Sequence, residues 1–412
     1  MNTHLFKSFF LGGFECSTHR LRTGRRLDLV ASTRHDEFAA RDYRLLQQHG
    51  IRSARDGFRW HLIERTPGRY DWSSVTPMLH AARDTGMQVI WDLWHYGWPD
   101  DLDLFSADFV RRFTGYARAA ADQISKFDPA PCICPLNEIS FISWAAADAG
   151  FFFPFAKERG PELKRHLVRT TIEAIHAMRA VNPAIRFFQI EPLINVIPRE
   201  DRPEDAPLAE SYRQSQFEVW DMLSGRAAPE LGGSEELLDV AGCNYYIHNQ
   251  WVHLGGPGST VLPSNPRYRH VSAMLREVHE RYHRPLFIAE TGIENAARPA
   301  WLAYMCGEVF AALRTGVPVE GLCLYPIVNH PGWDDDRHCA NGLFDYADES
   351  GERATFESLA IELARQQRIL DAMRAGDALA RTETAAAVHA LDVAARQMEE
   401  LTDSTRTSTA NE

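Results

Sequence analysis

The chain has 412 residues, 45% of them hydrophobic and 24% charged, enough apolar material for a large folded core and too much for wholesale disorder. Its 44 basic and 56 acidic residues leave a net charge of −12, the wrong sign for a general nucleic-acid or anionic-membrane binder. No apolar run approaches the ~20 residues that span a bilayer.

The N-terminus, MNTHLFKSFFLGGFE, holds only a short apolar patch from Phe9 to Phe14. It lacks the long apolar core and small-residue cleavage site of a secretion signal. Eight strand-like runs then follow one another: SFFLGGF (8–14), IRSARDG (51–57), MQVIWDLWH (87–95), PCICPLNE (131–138), AIRFFQIE (184–191), LLDVAGCNYY (237–246), PLFIAETG (285–292) and VEGLCLYPIV (319–328). Amphipathic stretches separate them, such as DEFAARDYRLLQQHG (36–50), SSVTPMLHAARDTG (73–86) and HVSAMLREVHERY (270–282). The first two stop at a glycine, as helices often do. Eight strands alternating with helices predict an α/β chain folded as a single (β/α)8 TIM barrel over residues 1–361. A doubly wound open sheet is the alternative, weakened by the lack of G-x-G-x-x-G after a strand and of a P-loop. From Glu362 to Glu412 the composition turns to Ala, Leu, Arg and Glu with a polar end. That predicts a C-terminal helical tail, with homo-oligomer contacts as one use for it.

Seven cysteines, an odd number, are scattered without a disulfide pattern. Reduced thiols and a cytoplasmic setting are expected. Cys132 and Cys134 have no further Cys or His pair at zinc-like spacing, so buried strand thiols are expected there.

A barrel of this kind carries its chemistry at the carboxyl ends of the strands. The polar residues there are Glu15; Arg55 and Asp56; Asp92 and His95; Asn137 and Glu138; Glu191; Asn244 and Tyr246; Glu290; Tyr325 and Asn329. Trp60, Trp94, Tyr96, Trp98, Trp144, Trp251 and Trp333 lie nearby in sequence. For any one of these rings, taken alone, ordinary core packing is the expectation. There is no G-x-S-x-G elbow and no H-E-x-x-H. The four lysines, Lys7, Lys126, Lys157 and Lys164, all lie away from the strand ends, which argues against a Schiff-base aldolase or lyase. Carboxylates among aromatic rings suit sugars, and glycoside cleavage needs two carboxyl groups in different protonation states.

Several motifs resemble those of the clan A retaining glycoside hydrolases, and most of all family 1, the β-glucosidase family. PLNEIS is similar to that family's Asn-Glu motif at strand 4, FIAETG to the nucleophile motif at strand 7, and GCNYY to the Asn-Tyr-Tyr motif at strand 6. RDGFRW and DLWHYGWPDDL resemble the strand-2 and strand-3 segments. The resemblance implies Glu138 as acid/base and Glu290 as nucleophile. Asn137 would bind the sugar 2-hydroxyl, Tyr246 would orient Glu290, and Arg55 would favour its charged form. His95 would grip a sugar hydroxyl, with Tyr96, Asn244, Tyr325, Trp333 and Glu15 completing the substrate-binding set. No metal or organic cofactor is implied; the partner is a carbohydrate.

The eighth strand departs from the family pattern. Tyr325 replaces the strand-end Trp, Gly332 stands where a Glu precedes the downstream Trp, and ECSTHR offers no clear strand-1 glutamine. Glu15, His19, Arg20, Asp334, Asp335, Asp336 and Arg337 are the candidate replacements, and the sugar itself is left open. The resemblance implies a cis peptide after the strand-8 aromatic, and a proline there lowers the cis penalty from ~2.5–4 to ~0.5–1 kcal/mol, so the Tyr325–Pro326 bond is predicted to be cis. The implied activity is a retaining β-glycosidase, for which carboxyl groups ~5–5.5 Å apart are expected. A transglycosidase using the same pair and a non-catalytic carbohydrate-binding barrel are the alternatives.

Overall fold

The computed structural model describes residues 5–255, 259–334 and 336–376. Eight strands close into an all-parallel barrel in the order in which the chain makes them: β1 (Phe10–Gly13), β2 (Ser53–Gly57), β3 (Gln88–Asp92), β4 (Cys132–Cys134), β5 (Arg186–Pro192), β6 (Val240–Asn244), β7 (Leu286–Thr291) and β8 (Val319–Leu324). β8 pairs back onto β1, with Leu322 beside Phe10, and closes the ring. Seven of the predicted runs contain one of these strands whole, the fifth is overrun by one residue at Pro192, and the open-sheet alternative falls away. The helices His35–Gln48, Thr76–Thr85 and Val271–Tyr282 occupy the amphipathic stretches.

Side-chain alternation divides the core in two. The barrel interior is filled by Leu11, Ile90, Cys132, Cys134, Phe188, Ile190, Val240, Phe287, Ala289, Cys323 and Tyr325. Leu5 and Phe6 belong to the same cluster, the Phe6 ring meeting Phe188 at 5.8 Å and Phe287 at 5.1 Å. The opposite faces of the strands, such as Ala54, Val89, Ile133, Cys243 and Ile288, join the larger core beneath the helices. Burying those two surfaces at ~25 cal/mol per Å² is the main drive for closure. Two strand glycines make the interior fit. A Cβ on Gly242 would come within 2.6 Å of Ile190, and one on Gly13 within 2.1 Å of the Tyr325 ring.

The helix Glu357–Arg374 buries Leu359, Leu363, Ile369 and Leu370 and packs on Arg298–Arg314. The rest of the expected tail, residues 377–412, lies outside the described residues. All seven cysteines are buried free thiols. Among the described residues no helix is long and apolar enough to cross a membrane. The Tyr325–Pro326 bond is cis, as is Phe153–Pro154.

Candidate active site

The carboxyl ends of the strands open into a cleft of about 1650 Å³, and Glu15, His95, Tyr96, Glu138, Tyr246, Glu290 and Trp333 are all on its wall. Glu290 reaches it through an irregularity in pairing. On β7, Phe287 and Ala289 point into the barrel while Ile288 points out. Strict alternation would send Glu290 out after Ile288. Between Cys243 and Asn244 the β6–β7 register shifts, so that Cys243 faces Ile288 but Asn244 faces Glu290. The extra residue turns the Glu290 carboxylate into the mouth, a common use of bulges beside sites.

Arg55 ties the floor together. It is buried inside the barrel on β2. Its guanidinium donates to Glu290 Oε1 at 2.9 Å, the Ala289 carbonyl at 3.0 Å, Asp92 Oδ2 at 2.6 Å and Asn137 Oδ1 at 3.1 Å. Tyr246 donates to the other Glu290 oxygen at 2.9 Å. Burial, then the charge of Glu290, pushes the Tyr246 phenol well up, so it stays a neutral donor. Removing Arg55 would strand two buried carboxylates, and breaking a buried pair from one side costs about 3–5 kcal/mol. Arg55→Met is therefore expected to lower the urea midpoint of unfolding by that equivalent. Arg55→Lys, with no planar fork to span four acceptors, is expected to recover stability in part but not activity.

Glu138 has a different environment. Tyr96 donates to its Oε2 at 2.9 Å and Asn244 to its Oε1 at 2.9 Å. No guanidinium among the described residues touches it. Burial, and next the nearby negative charge of Glu290, pushes its carboxyl up to about 8 against the partial relief of those two donors. At neutral pH it therefore holds its proton. The two carboxyl groups share one cleft, with contrasting partners.

His95 bonds Asp92 through Nδ1 at 3.2 Å, and its Nε2 lies 3.4 Å from the Asn137 amide and 3.8 Å from Glu15. Burial alone would lower His95, but Cys16, Asp92 and Glu15 around it hold it well above its ordinary value. Cys16, Asp92 and His95 are the potential metal ligands that cluster among the described residues. The Arg55 guanidinium already bonded to Asp92 opposes a cation there. Burial pushes the Cys16 thiol up to about 11, so it is neutral.

Three residues expected to meet the sugar lie one layer deeper. Asn137 and Asn244 are fully buried, and Tyr325 nearly so, and none is on the cleft wall. Asn137 spends its amide on Arg55, Tyr96 (3.1 Å) and His95. Asn244 supports Glu138. The Tyr325 ring lies 5.2 Å from the Arg55 guanidinium and parallel to His95. Other strand-end residues face away. Asp56 points outward to His35 (2.8 Å) and Tyr43 (2.6 Å), and Asn329 holds Asp345 and the Gly342 N–H. Trp60, Trp94 and Trp98 are core rings packed on Phe109, whereas Trp144, Trp251 and Trp333 line the cleft.

Of the proposed strand-1 and strand-8 replacements, Glu15, Asp334 and Arg337 reach the cleft. Arg337 pairs with Glu294 through two 2.7 Å bonds. His19 is buried against Phe152 and Trp333, and burial pushes it down to about 4. Arg20 pairs with Asp100, and Asp336 with Arg25, both near the surface. Asp335 lies outside the described residues. Strand-end reasoning missed the outer wall, where Phe141, Phe151, Leu208 and Tyr212 line the cleft. They sit on connecting segments, which carry no strand-end signal.

No protein-family model matches the sequence, and a search of curated proteins finds no match. Solved structures do match. The β-glucosidase from Thermotoga maritima in complex with glucoimidazole is 15% identical with a TM-score of 0.72, over 88% of this chain and 99% of that one. The β-glycosidase from the hyperthermophile Thermosphaera aggregans is 15% identical with a TM-score of 0.72, over 88% and 97%. The family 1 β-glucosidase from Thermotoga maritima in complex with isofagomine lactam is 15% identical with a TM-score of 0.70, over 88% and 99%. The chain thus has the (β/α)8 fold of family 1 β-glucosidases.

Proposed function

We propose that this chain is a divergent clan A relative of family 1 and a retaining β-glycosidase. One observation carries the reading. Two carboxyl groups share one cleft, one pushed up to about 8 by burial and a like charge, the other bonded to a buried guanidinium and a phenol. Glu290 is the nucleophile: its carboxylate attacks the anomeric carbon while Arg55 and Tyr246 orient it. Glu138 gives its proton to the departing oxygen, then takes one from the water that releases the sugar. Protonation of Glu138 and charge on Glu290 are what the first step requires at neutral pH.

The covalent intermediate supplies the test. Incubation with 2-deoxy-2-fluoro aryl β-glycosides (glucoside, galactoside, mannoside, xyloside) is expected to add one fluorosugar mass to the peptide carrying Glu290. Turnover of the parent glycosides without any adduct, and with inversion at the anomeric carbon, would sink the retaining reading.

Glu15 is expected to hold a hydroxyl of the sugar. It is a buried carboxylate on the cleft wall, with Oε1 held by the Ser17 N–H at 2.9 Å. A hydrogen bond to a charged group contributes ~1.5–3 kcal/mol. Glu15→Ala is expected to raise KM roughly tenfold to a hundredfold, with kcat changed less, in steady-state assays on the best aryl glycoside.

A further inference from the structure

We propose that Glu191, at the end of β5, is the positioning residue that holds Glu138 in its working conformation. The inference rests on Glu138 being the acid/base. Glu138 has a left-handed backbone, with φ 44° and ψ 62°, and stands immediately before the helix Ile139–Ala147. A polar residue at that position can turn its side chain back to accept from the first N–H groups of the helix, as Asp28 and Ser106 do at theirs. Glu138 makes no such bond, because its carboxyl is committed to the cleft, to Tyr96 and to Asn244. The helix start and the unusual backbone need another holder.

Two consecutive residues of β5 supply it. The Ile190 carbonyl accepts the Glu138 N–H at 3.0 Å. The Glu191 carboxylate accepts the next two, Ile139 N–H on Oε1 at 2.8 Å and Ser140 N–H on Oε2 at 3.0 Å. Three successive N–H groups, beginning with that of Glu138, are thereby anchored to one strand. Glu191 is 1% exposed and has no place in the bond-making steps, so its tie to the helix is what it does there. Burial pushes the Glu191 carboxyl itself up to about 7, against the Ser140 and Ile139 N–H groups and Lys164; ionised above that value, it adds to the charge of Glu290 in opposing loss of the Glu138 proton. Lys164 faces Glu191 from the helix Gly160–Val181 and is itself paired with Glu218 at 2.6 Å.

The test compares kcat/KM for two aryl β-glycosides of the preferred sugar, one with a p-methoxyphenyl leaving group and one with 2,4-dinitrophenyl. This ratio reports only the steps through aglycone departure, and the activated aglycone needs little help from an acid. Glu191→Gln, which loses the charge and offers one acceptor oxygen, is expected to lower kcat/KM ten- to a hundredfold for p-methoxyphenyl and less than threefold for dinitrophenyl. The alkaline fall in kcat/KM should also move to lower pH. Glu191→Asp keeps the charge but cannot reach both N–H groups. It should show the same selective loss, smaller, with the alkaline fall unmoved, and it decides the matter if the glutamine variant does not fold. Equal losses on both substrates, or none, would overturn the proposal. Glu138→Ala is measured beside them: if it too shows no dependence on leaving group, the acid/base assignment itself has failed, which is a different result.

Discussion

Glu290→Ala is expected to abolish turnover, with kcat falling on the order of 10⁶-fold, as removal of a covalent nucleophile does elsewhere. Thermal stability should change little or rise, since Arg55 would keep Asp92 and Asn137 as partners. Added azide is the decisive reagent. It fits the space left by the carboxylate and attacks the same face of the sugar, so the product should be an α-glycosyl azide from a β-glycoside. Wild-type rates in Glu290→Ala, or a β-glycosyl azide, would remove Glu290 from the nucleophile role. The isolated product's anomeric configuration, read by proton NMR, settles which.

Glu138→Ala is expected to give the second largest effect, and a selective one. General acid catalysis contributes about 10²–10⁴-fold, so kcat/KM should fall by that much for poor leaving groups and far less for dinitrophenyl. In the parent enzyme the acid form is lost as pH rises through about 8, so kcat/KM should fall on the alkaline side near that value. The fall should disappear in Glu138→Ala.

The same carboxyl makes a stability prediction. Its value is raised in the folded chain, from 4.5 to about 8. Between those values the folded state holds a proton that the unfolded chain has lost, so stability from this group declines as pH rises across that window. Glu138→Gln removes the linkage. The variant should gain in melting temperature over the parent on going from pH 5 to pH 9. A constant difference across that range would show that Glu138 is not buried as an acid.

Much of this architecture is visible before any coordinates. Eight apolar runs spaced by amphipathic stretches specify eight strands and their helices, because a strand buried on both faces is apolar throughout and a helix covering it is apolar on one side. The barrel follows, and with it the end of the molecule at which polar residues gather. Of the strand-end residues so nominated, Glu15, His95, Glu138, Tyr246 and Glu290 stand on the cleft wall, Arg55, Asn137, Asn244 and Tyr325 lie behind it, and Asp56 faces away.

What local sequence does not contain is direction. Asp56 and Arg55 are neighbours on β2, and only the pleat sends one to His35 and the other to Glu290. Trp60 and Trp333 are the same residue type, and the surrounding helices decide that the first is core and the second cleft. Glu290 faces the site because the β6–β7 register slips by one residue beside it. The N–H groups of Ile139 and Ser140, next to Glu138, meet the carboxylate of Glu191, 53 positions after Glu138 in the chain and adjacent only once β4 and β5 pair. Residue type and periodicity act over a few neighbours, and they determined the strands, the barrel and the set of acids. Facing, register and the contrast between two carboxyl groups arise from contacts between segments far apart in the chain, and only the closed barrel decides them.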